Sequence, residues 1–317
     1  MLAYILKKLE NPNFPLLGPN INALKFWGLL LPDDTLKKCM YLFLHLTVIF
    51  FTATEYAEIW FVKYDMSLTL TNLKITLLAT VSVSKVTSFL IWQKHWKSII
   101  DYVNRSDKIQ RGNTKSKDII IDKYTKYSRK ITFYYWILMY TTVVIVMSQP
   151  IYKYLLSENY RNNVKNGTEE YAQVVSSWVP FDKNTPIGHI FACIFQSYAA
   201  IYGGGWITSF DTNAIVIMVF FRGELEMLKV DSSDICGSED MVVNYNEFKN
   251  RLKNCHRRHM ELLKYVFNFY YVLFNYFSKM LLNLLRFVIK MHYLIFLSLK
   301  LGIYLFGNFI YVEYKMR

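Results

Sequence analysis

Between Gly188 and Phe221 the chain carries no Lys, Arg or Glu, and its one acid is Asp211. A run this long is too apolar for the surface helix of a soluble protein, and about 20 such residues suffice for a helix to cross a bilayer. Comparable stretches cover residues 39–62, 68–92, 131–154 and 265–285. A further one, 287–312, is long enough to cross but carries Lys290 and Lys300. Lipid offers the backbone no hydrogen bonds, so stretches of this length must satisfy their own amides as helices. The expected fold class is all-α: one polytopic transmembrane helix bundle over residues 1–317, with about six spans. Only Lys63–Ser67 separates the first two, which predicts a tight helical hairpin.

The gaps between these stretches orient the chain. Gln93–Lys130 holds eleven Lys or Arg against four Asp, and Arg222–Lys264 is again rich in Lys and Arg. Ile151–Pro186 holds four basic residues balanced by four acidic ones. Basic loops are retained in the cytosol. The N-terminus and the second and fourth gaps are therefore expected in the cytosol, and the first and third outside. Residues 1–38 read as a cytosolic segment: Asn11-Pro12-Asn13-Phe14-Pro15 is turn chemistry, and Phe26–Leu31 is an apolar run too short to cross. That run is expected in the membrane interface or under the bundle. Met1–Glu10 lacks a signal-peptide core, so insertion is expected to rely on the first span. A net charge of +13 on a soluble protein would suggest nucleic acid. Here the basic residues lie between spans, which points to topogenic charge and anionic lipid and away from a nucleic-acid partner.

Asn166-Gly167-Thr168 is a glycosylation sequon in the outside loop. Asn104-Arg105-Ser106 is a second sequon, on the cytosolic side, and is expected to stay unmodified. None of Cys39, Cys193, Cys236 and Cys255 falls in the long outside loop, so no exofacial disulfide is expected.

Glu55, Glu58, Lys74, Lys85, Asp211 and Arg286 fall within or at the ends of apolar runs. Each is costly in hydrocarbon and requires a cavity, a partner charge or the headgroups. Glu55 and Lys74 sit at comparable depth and are placed to pair, and Glu58 is close enough to its span's end to snorkel. Gly203-Gly204-Gly205 suits close helix approach. His256 and His259 have metal-like spacing, but Arg257 and Arg258 between them repel a cation, so no metal site is expected. No hydrolase elbow, phosphate loop, zincin or dinucleotide motif occurs, so neither an enzyme nor a cofactor is expected. Aromatic residues line the third span (Tyr134, Tyr135, Trp136, Tyr140) and the fourth (Phe191, Phe195, Tyr198, Tyr202, Trp206) at helical spacing. Such stripes serve as bundle core and are also suitable walls for a small apolar ligand.

In order along the chain, several segments resemble one family. They are Asn13-Phe14-Pro15 with Trp27-Gly28 and Leu31-Pro32; Phe210-Asp211-Thr212 with Phe221-Arg222-Gly223-Glu224-Leu225-Glu226-Met227-Leu228; Cys255-His256-Arg257-Arg258-His259 with Tyr265 and Phe277-Ser278; and Ile303-Tyr304-Leu305-Phe306-Gly307-Asn308. Together they resemble the insect odorant receptors. The resemblance implies a seven-helix subunit, inverted relative to G-protein-coupled receptors, in the plasma membrane of olfactory sensory neurons. It implies a small volatile ligand held among helices two to six, and a ligand-gated cation channel formed with a co-receptor as a hetero-oligomer, a tetramer. Against the family pattern, the chain reaches Gly307-Asn308 soon after its fifth span, and the seventh, pore-lining helix is expected to be missing. Depth and side-chain type nominate Tyr140, Met147, Tyr198, Ile201 and Tyr202 as ligand contacts, with Thr76 added. A gustatory-type receptor and a non-signalling membrane protein are the competing readings.

Overall fold

The structure is a computed structural model that describes residues 11–112, 114–236 and 244–275. The described residues form eight α-helices: α1 (Gly18–Phe26), α2 (Thr35–Phe61), α3 (Met66–Ile91), α4 (Gln93–Gln110), α5 (Lys115–Leu156), α6 (Glu158–Lys165), α7 (Pro186–Ser233) and α8 (Tyr245–Tyr270). Residues up to Phe269 belong to one compact unit; of the second, Tyr270–Arg317, the described part is a short π-helix at Tyr271–Asn275. The second part of the expected fifth span, from residue 276 on, and all of the stretch 287–312 lie outside the described residues. So do Lys279, Arg286, Lys290, Lys300, the Gly307-Asn308 step and Met1–Glu10.

Local chemistry sets the helix starts. The Asp34 carboxylate accepts from Leu36 N at 3.0 Å and caps α2, and Asp65 accepts from Leu68 N at 3.0 Å and caps α3. The Thr185 hydroxyl accepts from Gly188 N at 3.2 Å at the start of α7. Each satisfies an amide that a helix N-terminus leaves without a partner. Asp34 and Asp65 bracket the expected α2–α3 hairpin, and each of those helices starts a few residues before its apolar run. Four described helices, α2, α3, α5 and α7, are long and apolar enough to cross a membrane.

The two long helices outrun the bilayer. α5 has 42 residues and α7 has 48; at about 1.5 Å per residue they are about 63 and 72 Å long, against a hydrocarbon core of about 30 Å. They run antiparallel with their charged ends together, so that Lys117 Nζ lies 2.6 Å from the Asp231 carboxylate. The basic segment Gln93–Lys130, read as an inter-span loop, is helical apart from a short link: it is α4 and the start of α5. In α4, Trp96, Ile99, Ile100 and Val103 are buried while Lys94, Lys97, Asp101, Arg105 and Lys108 are exposed. That pattern is one apolar stripe at helical spacing. Most of the basic segment Arg222–Lys264 is likewise the end of α7 and α8.

Polar contacts hold α4, α5, α7 and α8 together at this end. Arg111 chelates Asp107 with two contacts of 3.0 Å, and the Tyr124 hydroxyl donates to the same carboxylate at 2.8 Å. Glu224 accepts from Ser106 Oγ at 2.8 Å and from Arg258 at 3.1 Å, and Arg258 also pairs with Asp231. The rings of Tyr102 and Tyr265 stack 3.9 Å apart.

The short apolar run beside α1 packs under the bundle. Leu29 and Leu30 are buried, and the Trp27 indole stacks on Trp136 at 6.4 Å and meets Tyr202 edge-on at 5.4 Å. Gly28 turns the chain with a φ of +69°, a conformation that suits glycine, and its carbonyl accepts from His45 Nε2 at 2.9 Å.

Candidate functional site

The site follows from where side chains are small. Along the cavity-facing side of α7, Ala199, Ala200, Gly203 and Gly204 present almost no bulk between α2, α3 and α5. The three consecutive glycines do three different things. A Cβ on Gly205 would run into the Trp27 indole, so this position seats Trp27. A Cβ on Gly204 would lie 3.2–3.3 Å from Val143 and Met139, so this position admits α5. A Cβ on Gly203 would meet nothing within 4 Å, because this position faces open space. That space is a half-open cavity of about 380 Å³ lined by α2, α3, α5 and α7, with Val175 of the 166–185 loop on its wall. Its size and apolar walls suit a small organic molecule.

The loop that borders the cavity is held from α7 by Gln196 and from α2 by Thr54 and Glu58. Gln196 is fully buried on α7. Its Oε1 accepts from Val174 N at 3.0 Å and Val175 N at 3.3 Å, and its Nε2 donates to Gln173 at 2.9 Å and Ser177 at 3.1 Å. Trp178 N donates to the Thr54 carbonyl at 3.2 Å, and Lys183 pairs with Glu58 at 2.6 Å. Glu58 therefore does not snorkel: it is buried under the loop, which brings Lys183 and Ser176 to its carboxylate.

Polar groups are few and almost all are committed. Ser82 Oγ donates to the Gly203 carbonyl at 3.2 Å, and the Thr52 hydroxyl donates to the Val48 carbonyl at 3.2 Å. At the far end from the loop, Lys85 pairs with Asp211 at 2.7 Å, and the Tyr135 hydroxyl donates to the other Asp211 oxygen at 2.8 Å. Two of the costly intramembrane charges thus neutralise each other across α3 and α7. Glu55 does not pair with Lys74. Lys74 is exposed, about 200° round α3 from the buried Asn72 and Thr76, whereas Glu55 is 1% exposed and borders the cavity.

The six nominated contacts divide by location. Tyr140, Met147 and Ile201 come together in a separate groove of about 640 Å³ with Trp27 and Trp136, on the side of α5 where Tyr140 and Ile201 are exposed. Tyr198 shares a 3.0 Å hydrogen bond with Thr47 and lies 5.6 Å from the Tyr202 ring. Tyr202 packs among Trp27, His45 and Trp206. Thr76 is buried, and its hydroxyl donates to the Asn72 carbonyl at 2.9 Å. None of these six lines the cavity; Ile75, Ala79, Tyr135, Met139 and Val143, their neighbours along the same helices, do. Asn166 is exposed at the end of α6, beside Gly167 with a φ of +71°. His256 and His259 are both exposed on α8, and no three metal-ligating side chains converge among the described residues. All four cysteines are free thiols.

The architecture has a known counterpart. The insect olfactory receptor OR5 from Machilis hrabei, solved in complex with eugenol, superposes with a TM-score of 0.56 at 15% identity, covering 86% of this chain and 68% of that one. At that identity the likeness establishes the fold alone. No curated protein matches the chain in sequence. The model of the 7tm odorant receptor family matches residues 65–312, from the start of α3 to beyond the described residues. With more than half its length matched to that model, the chain belongs to the odorant receptor family.

Proposed function

We propose that this chain is a ligand-binding odorant receptor subunit whose volatile ligand occupies the 380 Å³ cavity between α2, α3, α5 and α7. The observation that carries this reading is the cavity itself: an apolar hollow built by small residues on α7, in a chain of the odorant receptor family. Discrimination there rests mainly on shape and dispersion, since the hydroxyls of Ser82, Thr52 and Tyr135 are bonded to the protein. The same reading makes the chain a plasma-membrane protein of olfactory neurons with its N-terminus in the cytosol. The basic surfaces of α4, α5 and α8 then face the cytosol, and the 166–185 loop and Asn166 face outward. The subunit acts with a co-receptor in a hetero-oligomeric cation channel, and the ligand opens it by binding the open state more tightly than the closed one.

The test is odour-evoked current in cells expressing this chain together with the co-receptor. Gly203→Phe directs a ring into the cavity from a position where a Cβ has open space. It should raise the half-maximal odorant concentration about tenfold or abolish the response, at unchanged surface expression. Ile201→Phe, in the separate groove, should leave the response intact. The opposite ranking would move the ligand to the Trp27–Tyr140 groove.

A further inference from the structure

The cavity holds one polar group that its surroundings do not explain. Glu55 is 1% exposed and borders the cavity, and its Oε2 has no hydrogen-bond partner. The cations that could neutralise it are already engaged: Lys85 is bound to Asp211 at 2.7 Å and Lys183 to Glu58 at 2.6 Å. Lys74 is exposed. A buried carboxyl with no partner is costly, and Leu at this position would avoid the cost. Most of the rest of the wall is apolar, and the hydroxyls of Ser82, Thr52 and Tyr135 are bonded elsewhere. A ligand that brings the missing partner gains an interaction that an equally shaped hydrocarbon lacks.

We propose that the cavity takes small lipophilic amines, with the amine nitrogen bound to the Glu55 carboxyl and the apolar remainder among Met139, Val143, Ala200 and Gly203. This rests on the odorant-cavity reading above. An amine suits Glu55 whichever group holds the proton. An ammonium donates to a carboxylate, and a carboxylic acid donates to a neutral amine nitrogen. Either way the nitrogen and the carboxyl share one proton, and in the ammonium–carboxylate form the bond is charge-assisted and about twice as strong as a neutral one. An alcohol of the same shape makes the neutral bond, and a hydrocarbon makes none.

Three probes on one skeleton test it: 2-phenylethylamine, 2-phenylethanol and ethylbenzene, applied to cells expressing the full chain with the co-receptor. The amine should activate at concentrations about 10- to 100-fold below ethylbenzene, with the alcohol between them. In Glu55→Gln and Glu55→Leu that preference should collapse, while the ethylbenzene response is kept or improved. Because Glu55 has no partner to lose, both variants should reach the surface at least as well as the parent. An amine preference that survives in either variant overturns the assignment but leaves the cavity reading standing, provided Gly203→Phe still blocks. Failure of both variants to reach the surface also overturns it, since Glu55 would then be holding the fold. Indifference of all three probes to Gly203→Phe defeats the cavity reading itself.

Discussion

The Lys85–Asp211 pair is the most exacting test of how the bundle is held together. Its charges lie 2.7 Å apart, with about a fifth of each side chain exposed. At an effective dielectric of about 20 the attraction is about 6 kcal/mol. Desolvation of both groups offsets much of that, so the pair contributes little net stability compared with two apolar residues. Removing one partner is different, because the other charge stays in the bundle. Lys85→Ala should leave Asp211 with only the Tyr135 hydroxyl and cost about 3–5 kcal/mol. At roughly 2 °C per kcal/mol for a chain of this size, the melting midpoint in detergent should fall by about 6–10 °C. Asp211→Ala should cost about the same, because it strands Lys85. The double variant Lys85→Leu/Asp211→Leu should recover most of the loss. Fluorescence-detected thermal melts of all three variants show whether removing both charges costs less than removing either one. Singles within 2 °C of the parent, or a double variant that loses the sum of both, would refute the claim that each charge exists to neutralise the other.

Other outcomes follow from the same contacts. Gln196→Leu leaves the buried Val174 and Val175 amides without their acceptor; it should cost about 3 kcal/mol and make the 166–185 loop more readily cleaved by protease in detergent. Alanine substitutions at the three glycines should rank sharply in detergent melts. Gly205→Ala collides with Trp27 and should cost about 2–3 kcal/mol, Gly204→Ala should cost less because Met139 can shift, and Gly203→Ala should be neutral or stabilising by up to about 1 kcal/mol. Tyr124→Phe removes the 2.8 Å bond to Asp107 and should cost about 2 kcal/mol in the same assay, with Arg111 still holding the carboxylate.

Long apolar runs made the spans legible: Gly188–Phe221 announces α7, and Lys63–Ser67 announces the α2–α3 hairpin, whose caps at Asp34 and Asp65 the structure supplies. What charge counting hid was secondary structure in the basic segments. Gln93–Lys130 carries eleven basic residues, yet Trp96, Ile99, Ile100 and Val103 mark a helix with one buried face. The cavity was hidden for a different reason. Large aromatics such as Tyr202 drew attention, but large side chains fill space and small ones leave it. The spacing of Ala199, Ala200, Gly203 and Gly204 was the available signal. Gln196 is legible too, as one of two side-chain amides, with Asn213, inside an apolar run where each must find partners at membrane depth. The partners of Glu58 and Asp211 were not, because they come from distant segments, and only the fold brings Lys183 and Lys85 to them.

The most direct test of the central claim is the structure of the assembled receptor with an activating odorant bound. The account predicts ligand density enclosed by α2, α3, α5 and α7, in van der Waals contact with Gly203 and Met139 and with its polar end toward Glu55. Density lying instead against Trp27, Tyr140 and Ile201, with the cavity empty, would contradict it.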